Sequence, residues 1–218
     1  MSINIAIDGP GGSGKSTIAK ALAMELGFVY VDTGAMYRAV ALYCMENNID
    51  LNNEELVTES LKNINIEIQY IDNSQNIFLN NVNISSRIRN QDCGNGASKV
   101  AVYRKVREEL VSMQKNMAAN TDVIMDGRDI GSNVLKNAQY KFYLDASVDV
   151  RAKRRNHELK EKGETIDLNL LKKEIEERDH RDKTREISPL VQVEDAIYID
   201  TSSMSINEVK EKIKMVIK

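Results

Sequence analysis

A chain of 218 residues, 42% hydrophobic and 29% charged, is long enough to bury one substantial core and short for a two-domain array. Its formal net charge of −3 gives no global attraction for nucleic acid or an anionic membrane, so an anionic ligand must be met by local clusters of base. Cys44 and Cys93 stand far apart without Cys-x-x-Cys or Cys/His spacing, which argues against a disulfide framework or zinc site and for a reducing cytoplasm.

Ser2 and Asn4 lead almost at once into a strand, with no basic and apolar leader, and no later apolar run approaches membrane-spanning length. A cytoplasmic protein is expected. Ile3 to Ile7 predicts the first strand. A helix follows from near Gly14 to about Leu26, closed by Gly27. Between them runs Gly9-Pro10-Gly11-Gly12-Ser13-Gly14-Lys15-Ser16, a glycine-rich run ending in Gly-Lys-Ser, the pattern of a phosphate-binding P-loop. Glycines let backbone N–H groups turn inward around an anion, and a helix N-terminus adds a favourable dipole. Gly9 through Ser16, with Thr17, form the candidate ATP-binding set. Lys15 is expected at the β- and γ-phosphates, and Ser16 is the candidate metal ligand, its hydroxyl on Mg²⁺.

The same glycines also spell Gly-x-Gly-x-x-Gly, and Asp32 stands about where a dinucleotide fold puts its ribose-binding acid. Lys15-Ser16 decides for the P-loop, because the dinucleotide turn has no use for an ammonium group there. A nucleotide switch protein is disfavoured by the lack of an Asn-Lys-x-Asp base-reading motif.

Phe28 to Val31 predicts a second strand, and Asp32-Thr33-Gly34-Ala35-Met36-Tyr37-Arg38 opens a helix from Ala35 to about Glu46. That carboxyl edge is where open α/β sheets bind ligands, so Thr33 and Arg38 are candidates for a second substrate. The plainer reading is an Asp/Thr helix cap with a solvent arginine. Ile64, Ile66, Ile68 and Tyr70 alternate, a turn is expected at Asp72-Asn73-Ser74, and Ile77 to Leu79 and Val82 to Ile84 follow with a turn at Asn80-Asn81. These segments read as a small antiparallel insert. Ser98, Arg104 and Arg107 are assigned to the helix after it, and spacing alone does not choose between the two arginines.

Val123 to Met125 predicts a strand that delivers Asp126-Gly127-Arg128-Asp129 to the same edge. Asp126 stands like the acid that orients Mg²⁺ or its waters in P-loop enzymes, with Arg128 and Asp129 toward phosphate and base; the alternative is a polar turn with a local ion pair. After the strand Tyr140 to Leu144, Arg151 and Arg155 share a helical face, with Arg154 beside them. Residues 157 to 190 are charged throughout, with Gly163 and a Ser188-Pro189 break around a helix from Leu168 to Arg185. Arg178, Arg181 and Arg185 recur there at spacings of three and four, with Asp179 and Asp182 between. Surface ion pairs explain part of this stripe, but phosphoryl transfer needs several arginines around the moving γ-phosphoryl in a site emptied of water, which an arginine-bearing lid supplies. His157 and His180 are read as solvent residues. Ala196 to Ile199 predicts the last strand. Ser205 with Glu208 caps a final helix whose Ile206, Val209, Ile213 and Val216 face the core.

The alternation of strand and helix indicates an α/β fold of the P-loop NTPase type: a three-layer parallel sheet flanked by helices, with a small antiparallel β insert and a helical lid. One domain is expected, with a core at 1–35, 93–156 and 187–218, a lobe at 36–92 and a lid at 157–186.

Five segments, I-D-G-P-G-G-S-G-K-S at 7–16, D-T-G-A-M-Y-R at 32–38, D-G-R-D at 126–129, L-D-A-S at 144–147 and E-R-D-H-R-D-K-T-R at 177–185, together resemble the nucleoside monophosphate kinases, and most closely the bacterial cytidylate kinase family. The resemblance runs nearly end to end. It implies transfer of the γ-phosphoryl of ATP, with Mg²⁺, to CMP or dCMP, and makes 36–92 the monophosphate-binding lobe. Thr33, Tyr37, Arg38, Ser98, Arg107, Arg128, Asp129, Arg178, Asp182 and Arg185 match the family's acceptor site, which selects Arg107 over Arg104. By the same resemblance Ser98 and Arg107 read cytosine and Asp182 contacts the sugar. Arg38, Arg128 and Arg185 are on the phosphate side, and Arg151 and Arg155 lie near the donor phosphates. The catalytic set is thus Lys15, Arg128, Arg151, Arg155, Arg178 and Arg185. Lys183-Thr184 departs from the Arg-Asn pair common in the family. The expected partners are small nucleotides acting on a monomer, without nucleic acid or membrane; the rival is another small-molecule P-loop kinase with a UMP, AMP or shikimate-like acceptor.

Overall fold

The computed structural model describes residues 2–71, 74–161, 163 and 166–217. In chain order its elements are β1 (Asn4–Asp8), α1 (Lys15–Leu26), β2 (Val29–Asp32), α2 (Thr33–Glu46), α3 (Glu54–Ser60), β3 (Ile66–Ile71), β4 (Ser74–Leu79) and β5 (Val82–Asn83), then α4 (Gln91–Val100), α5 (Arg104–Ala118), β6 (Val123–Gly127), β7 (Tyr140–Asp145), α6 (Val148–Glu161), α7 (Leu168–Thr184), β8 (Ile197–Asp200) and α8 (Ile206–Lys214). Five strands form a parallel sheet in the order β2-β6-β1-β7-β8, and β3-β4-β5 form a separate antiparallel sheet.

Strands buried on both faces need apolar residues at every position, and the pleat sends alternate side chains to opposite layers. Ile5 and Ile7 of β1 pack with Ile124, Phe142, Leu144 and Ile199 under α1 and α8. Ala6 points the other way, with Val123, Met125, Val31 and Val111 of α5. A third cluster joins α2, α4 and the small sheet. There Gly96 lets two helices meet closely, since a Cβ on it would lie 2.9 Å from the Ala41 Cβ.

Each strand expected from the sequence is present, with ends moved by one to three residues; β4 begins at Ser74, which the expected turn included. Gly27 closes α1 at φ 72°, and Ser205 with Glu208 forms the capping box of α8. Asp72 and Asn73 of the expected turn lie outside the described residues. Two helix assignments change. Ser98 is on α4 while Arg104 and Arg107 are on α5, because the chain breaks at Ala101-Val102-Tyr103. Arg185 follows α7 in extended conformation, at ψ 141°, so the arginine stripe does not continue to it.

The insert is fastened to the edge of β2 by side chains rather than by a shared ladder. Gln75 Oε1 accepts the Asp32 N–H at 2.7 Å, its Nε2 donates to the Asp32 carbonyl at 3.4 Å, and the Tyr70 hydroxyl donates to the Tyr30 carbonyl at 2.9 Å. These bonds occupy backbone groups that a bare edge strand leaves open.

Candidate active site

The carboxyl ends of β1, β2, β6 and β7 meet around the loop Gly9–Gly14. Gly9 has φ 149°, and a Cβ there would stand 1.9 Å from the Leu144 carbonyl oxygen, so only glycine fits. The loop is held from outside: Arg151 Nη1 donates to Gly11 O at 3.2 Å, Arg154 Nη1 to Gly12 O at 3.3 Å and Thr201 Oγ1 to Ser13 O at 2.8 Å. A trans peptide points its N–H opposite to its C=O, so the N–H groups of Gly12, Ser13 and Gly14 face away from these ties.

Lys15 is buried and its Nζ donates to the Pro10 carbonyl at 3.0 Å. Burial, with the guanidinium of Arg128 next, pulls its pKa down to about 7. Ser16 Oγ donates to Asp126 Oδ2 at 2.7 Å and the Tyr30 hydroxyl to Asp126 Oδ1 at 2.8 Å. Burial raises the Asp126 pKa, and Asp32 adds to the effect.

Across the cleft, Asp32 accepts the Ala35 N–H as the cap of α2 and holds Arg38 at 2.6 Å. The plain capping reading is therefore true of Asp32, while Arg38 lines the cleft. Thr33 Oγ1 donates to the Asp126 carbonyl at 2.8 Å, tying α2 to β6. Tyr37 is buried beneath the Arg107 guanidinium, 5.7 Å from its ring centroid, and its hydroxyl has no hydrogen-bond partner among the described residues. Asp129 receives Arg107, Arg185 at 3.3 Å and Asn133 Nδ2 at 3.1 Å. Asp182 receives Ser98 Oγ at 3.0 Å and Arg128 Nε at 2.9 Å, and Arg181 Nε donates to the same Ser98 hydroxyl at 3.2 Å.

Arg178 has the poorest compensation. Its Nε is unpartnered among the described residues and lies 4.0 Å from Asp182 Oδ2. Removal from solvent, then Arg128, lowers its pKa to about 10. A Cβ on Gly11 would stand 3.5 Å from Arg128 Nη2 and 3.9 Å from Arg178 Nη1. Arg128, paired through Nε with Asp182, and the weakly compensated Arg178 thus stand beside a ring of backbone N–H groups, an arrangement that favours an anion.

Helices α6 and α7 cover this cleft. Arg151 donates to Asp179 at 2.6 Å, whereas both Nε and Nη2 of Arg155 bind Gln91 Oε1, and Gln91 Nε2 donates to Glu174. The α6 contacts to the phosphate loop thus come from Arg151 and Arg154, one turn apart, and Arg155 instead joins α6 to α4. His157 and His180 are exposed, as expected. The cleft encloses about 750 Å³ and includes Gly11, Gly12, Ser16, Arg38, Arg155 and Arg178. A recess of about 480 Å³ adjoins the loop at Arg154, Thr201, Met204 and Ile206. Tyr30, Gln91 and Thr201 are absent from the sequence candidates, and Arg154 enters there only as the neighbour of Arg151 and Arg155.

Residues 5–218 match the family model described as Cytidylate kinase. The chain belongs to the cytidylate kinase family. Relatives named cytidylate kinase include one from Oceanobacillus iheyensis, 51% identical over 97% of this chain and 92% of that protein. Another, from Caldicellulosiruptor bescii, is 49% identical over 97% and 93%. A Bacillus cereus relative is 48% identical over 99% and 96%. Among solved structures, an uncharacterized protein from Eubacterium ventriosum shares the fold at a TM-score of 0.54 and 13% identity, over 99% of this chain and 98% of that one. The two-sided cleft belongs to a family of kinases, and no helix of the described residues is long and apolar enough to cross a membrane.

Proposed function

We propose that the chain transfers the γ-phosphoryl of ATP to the 5′-phosphate of CMP or dCMP by direct in-line displacement. The observation that carries this reading is the position of Arg128 and Arg178 against Gly11, between a phosphate loop on one side and the Tyr37, Arg107, Asp129 and Asp182 pocket on the other. The acceptor phosphate is already an oxyanion nucleophile, so no covalent enzyme intermediate is needed and the protein's work is positioning and charge stabilisation.

Lys15 leaves the Pro10 carbonyl for the donor phosphates, where a polyanion restores its full charge. Arg128 and Arg178, with Arg151 bracing the loop, offset the charge that develops on the transferred group. Arg38 and Arg185 hold the acceptor phosphate, Ser98, Arg107 and Asp129 with Tyr37 hold its base, and Asp182 the sugar. Closure of α6 and α7 removes water that would otherwise hydrolyse ATP.

The donor set for a metal is one hydroxyl, Ser16, and one acid, Asp126, already hydrogen-bonded to each other. Among the described residues no group of three or more His, Cys, Asp or Glu could hold an ion. That sparse set fits Mg²⁺, which keeps most of its waters and takes the remaining ligands from substrate phosphates. When bound, Mg²⁺ neutralises charge on the β- and γ-phosphates. A monomer in a reducing cytoplasm, where the buried thiols of Cys44 and Cys93 stay free, belongs to the same proposal.

The test is a screen of ribo- and deoxyribonucleoside monophosphates against Mg·ATP by coupled ADP release. CMP and dCMP are expected to exceed UMP and AMP by at least tenfold in kcat/KM. Equal or better use of AMP, UMP or shikimate would overturn the assignment.

A further inference from the structure

The mechanism leaves one buried acid unused. Asp8 ends β1, one residue before the phosphate loop, and is only 5% exposed. Its Oδ1 accepts the N–H of Ile130 and its Oδ2 the N–H of Gly131, each at 2.8 Å. These are the first two donors of the wide helical turn Ile130–Val134, whose own cap residue, Asp129, makes no side-chain cap bond. Asp8 therefore supplies from 122 residues away the capping that the turn lacks locally. The residues entering that turn are Arg128 and Asp129, which carry the acceptor side of the cleft.

We propose that Asp8 is a positioning residue: its carboxylate fastens the Arg128–Asp129 turn to the strand that delivers the phosphate loop, and so sets the spacing between the donor and acceptor halves of the site. The inference rests on the function proposed above.

The contact favours an ionised carboxylate, because both oxygens accept an N–H and a proton on the group removes the charge that strengthens both bonds. Asp8 makes no ion pair among the described residues. Arg128 and Asp129 of the turn act on it electrostatically in opposite senses. From β7, the methylenes of Lys141 pack at Gly131 while its Nζ is held by Asp195 and the Lys136 carbonyl. Tyr143, on the same strand, also senses Asp8. Burial is the largest influence and lifts the Asp8 pKa to about 7 against the pull of the two N–H bonds. Protonation below that pH loosens the turn, so acceptor use falls on the acid side.

The experiment measures KM for CMP and for ATP separately from about pH 6 to 8.5 in the wild type and in Asp8→Asn, with a thermal melt of each. In the variant, KM for CMP is expected to rise about tenfold with KM for ATP within twofold. The wild type should show a rise in KM for CMP below pH 7 that the variant lacks; ionisation of CMP itself is common to both and cancels in the comparison. An unchanged KM for CMP in a folded variant, or equal rises for both substrates, overturns the proposal. If Asp8→Asn does not fold, hydrogen exchange at the Ile130 and Gly131 amides of the wild type decides. Strong protection of both amides supports the clamp, and exchange near the intrinsic rate refutes it. Exchange needs no substrate, so a failure of CMP as acceptor would sink the functional reading without deciding the clamp.

Discussion

Ser16 Oγ donates to Asp126 Oδ2 across 110 residues of chain, joining the end of the phosphate loop to the acid that follows β6. With its proton directed to Asp126, the Ser16 oxygen keeps a lone pair for a cation. Asp126→Ala is expected to lower kcat by about two orders of magnitude and to raise the Mg²⁺ concentration needed for half-maximal rate, while metal-free ATP binding persists. Tyr30→Phe removes only the second donor to Asp126 and should give a milder shift in the same Mg²⁺ titration. An unchanged Mg²⁺ dependence in Asp126→Ala would remove this acid from the site.

How much of this was legible follows from the range of each contact. The phosphate loop is a contiguous signal, and the doubly buried strands announce themselves as apolar runs, so the parallel sheet and the motifs at its carboxyl edge could be read directly. Tyr30 and Thr201 could not. Tyr30 meets Asp126 over 96 residues and Thr201 meets Ser13 over 188, and neither stands in a local pattern that differs from ordinary strand or loop. The helix periodicity of Arg151, Arg154 and Arg155 was visible, but which neighbour faces the loop depends on the angle at which α6 crosses it. Spacing puts Arg185 on the helix, because spacing alone does not reveal that α7 stops at Thr184 and that the next residue is extended.

Lys15 should take up a proton when ATP binds. In the free protein burial and Arg128 hold its pKa near 7, well below the ordinary 10.5, so at about pH 8 a large share is neutral. A polyphosphate beside it favours the charged form and returns the pKa upward, and the bound state therefore holds more protons. Calorimetry at about pH 8 in buffers of different ionisation enthalpy should show this uptake in the wild type and its loss in Lys15→Met. The same variant is expected to lose turnover while binding CMP nearly as well, because Lys15 serves the donor. Equal proton uptake in both proteins would assign the titration elsewhere.

Gly9 and Gly27 separate backbone strain from steric collision. Both have positive φ, but a Cβ on Gly27 meets nothing within 4 Å whereas one on Gly9 strikes the Leu144 carbonyl. Gly27→Ala should cost about 1 kcal/mol, a fall of roughly 2–4 °C in Tm at this size, with activity intact. Gly9→Ala must also push the loop off β7, and is expected to cost about 3 kcal/mol or more together with nearly all turnover. Similar melting temperatures for the two variants would mean that the loop yields without strain.

Arg178 and Arg151 should respond oppositely to truncation, although both line the same cleft. Arg151 is 4% exposed and bonds Asp179, the Ala146 carbonyl and Gly11 O. Its loss strands a buried carboxylate, and Arg151→Ala is expected to cost about 3–5 kcal/mol of stability along with activity. Arg178 lacks a close partner and is disfavoured by Arg128 beside it. Arg178→Ala therefore relieves repulsion, so its Tm should hold or rise while kcat falls by about a hundredfold or more, as for an arginine that meets charge only in the transition state. The checks are thermal melts and steady-state rates on both variants. A destabilised Arg178→Ala with near-normal kcat would reverse the assignment, making Arg178 a structural residue of the lid.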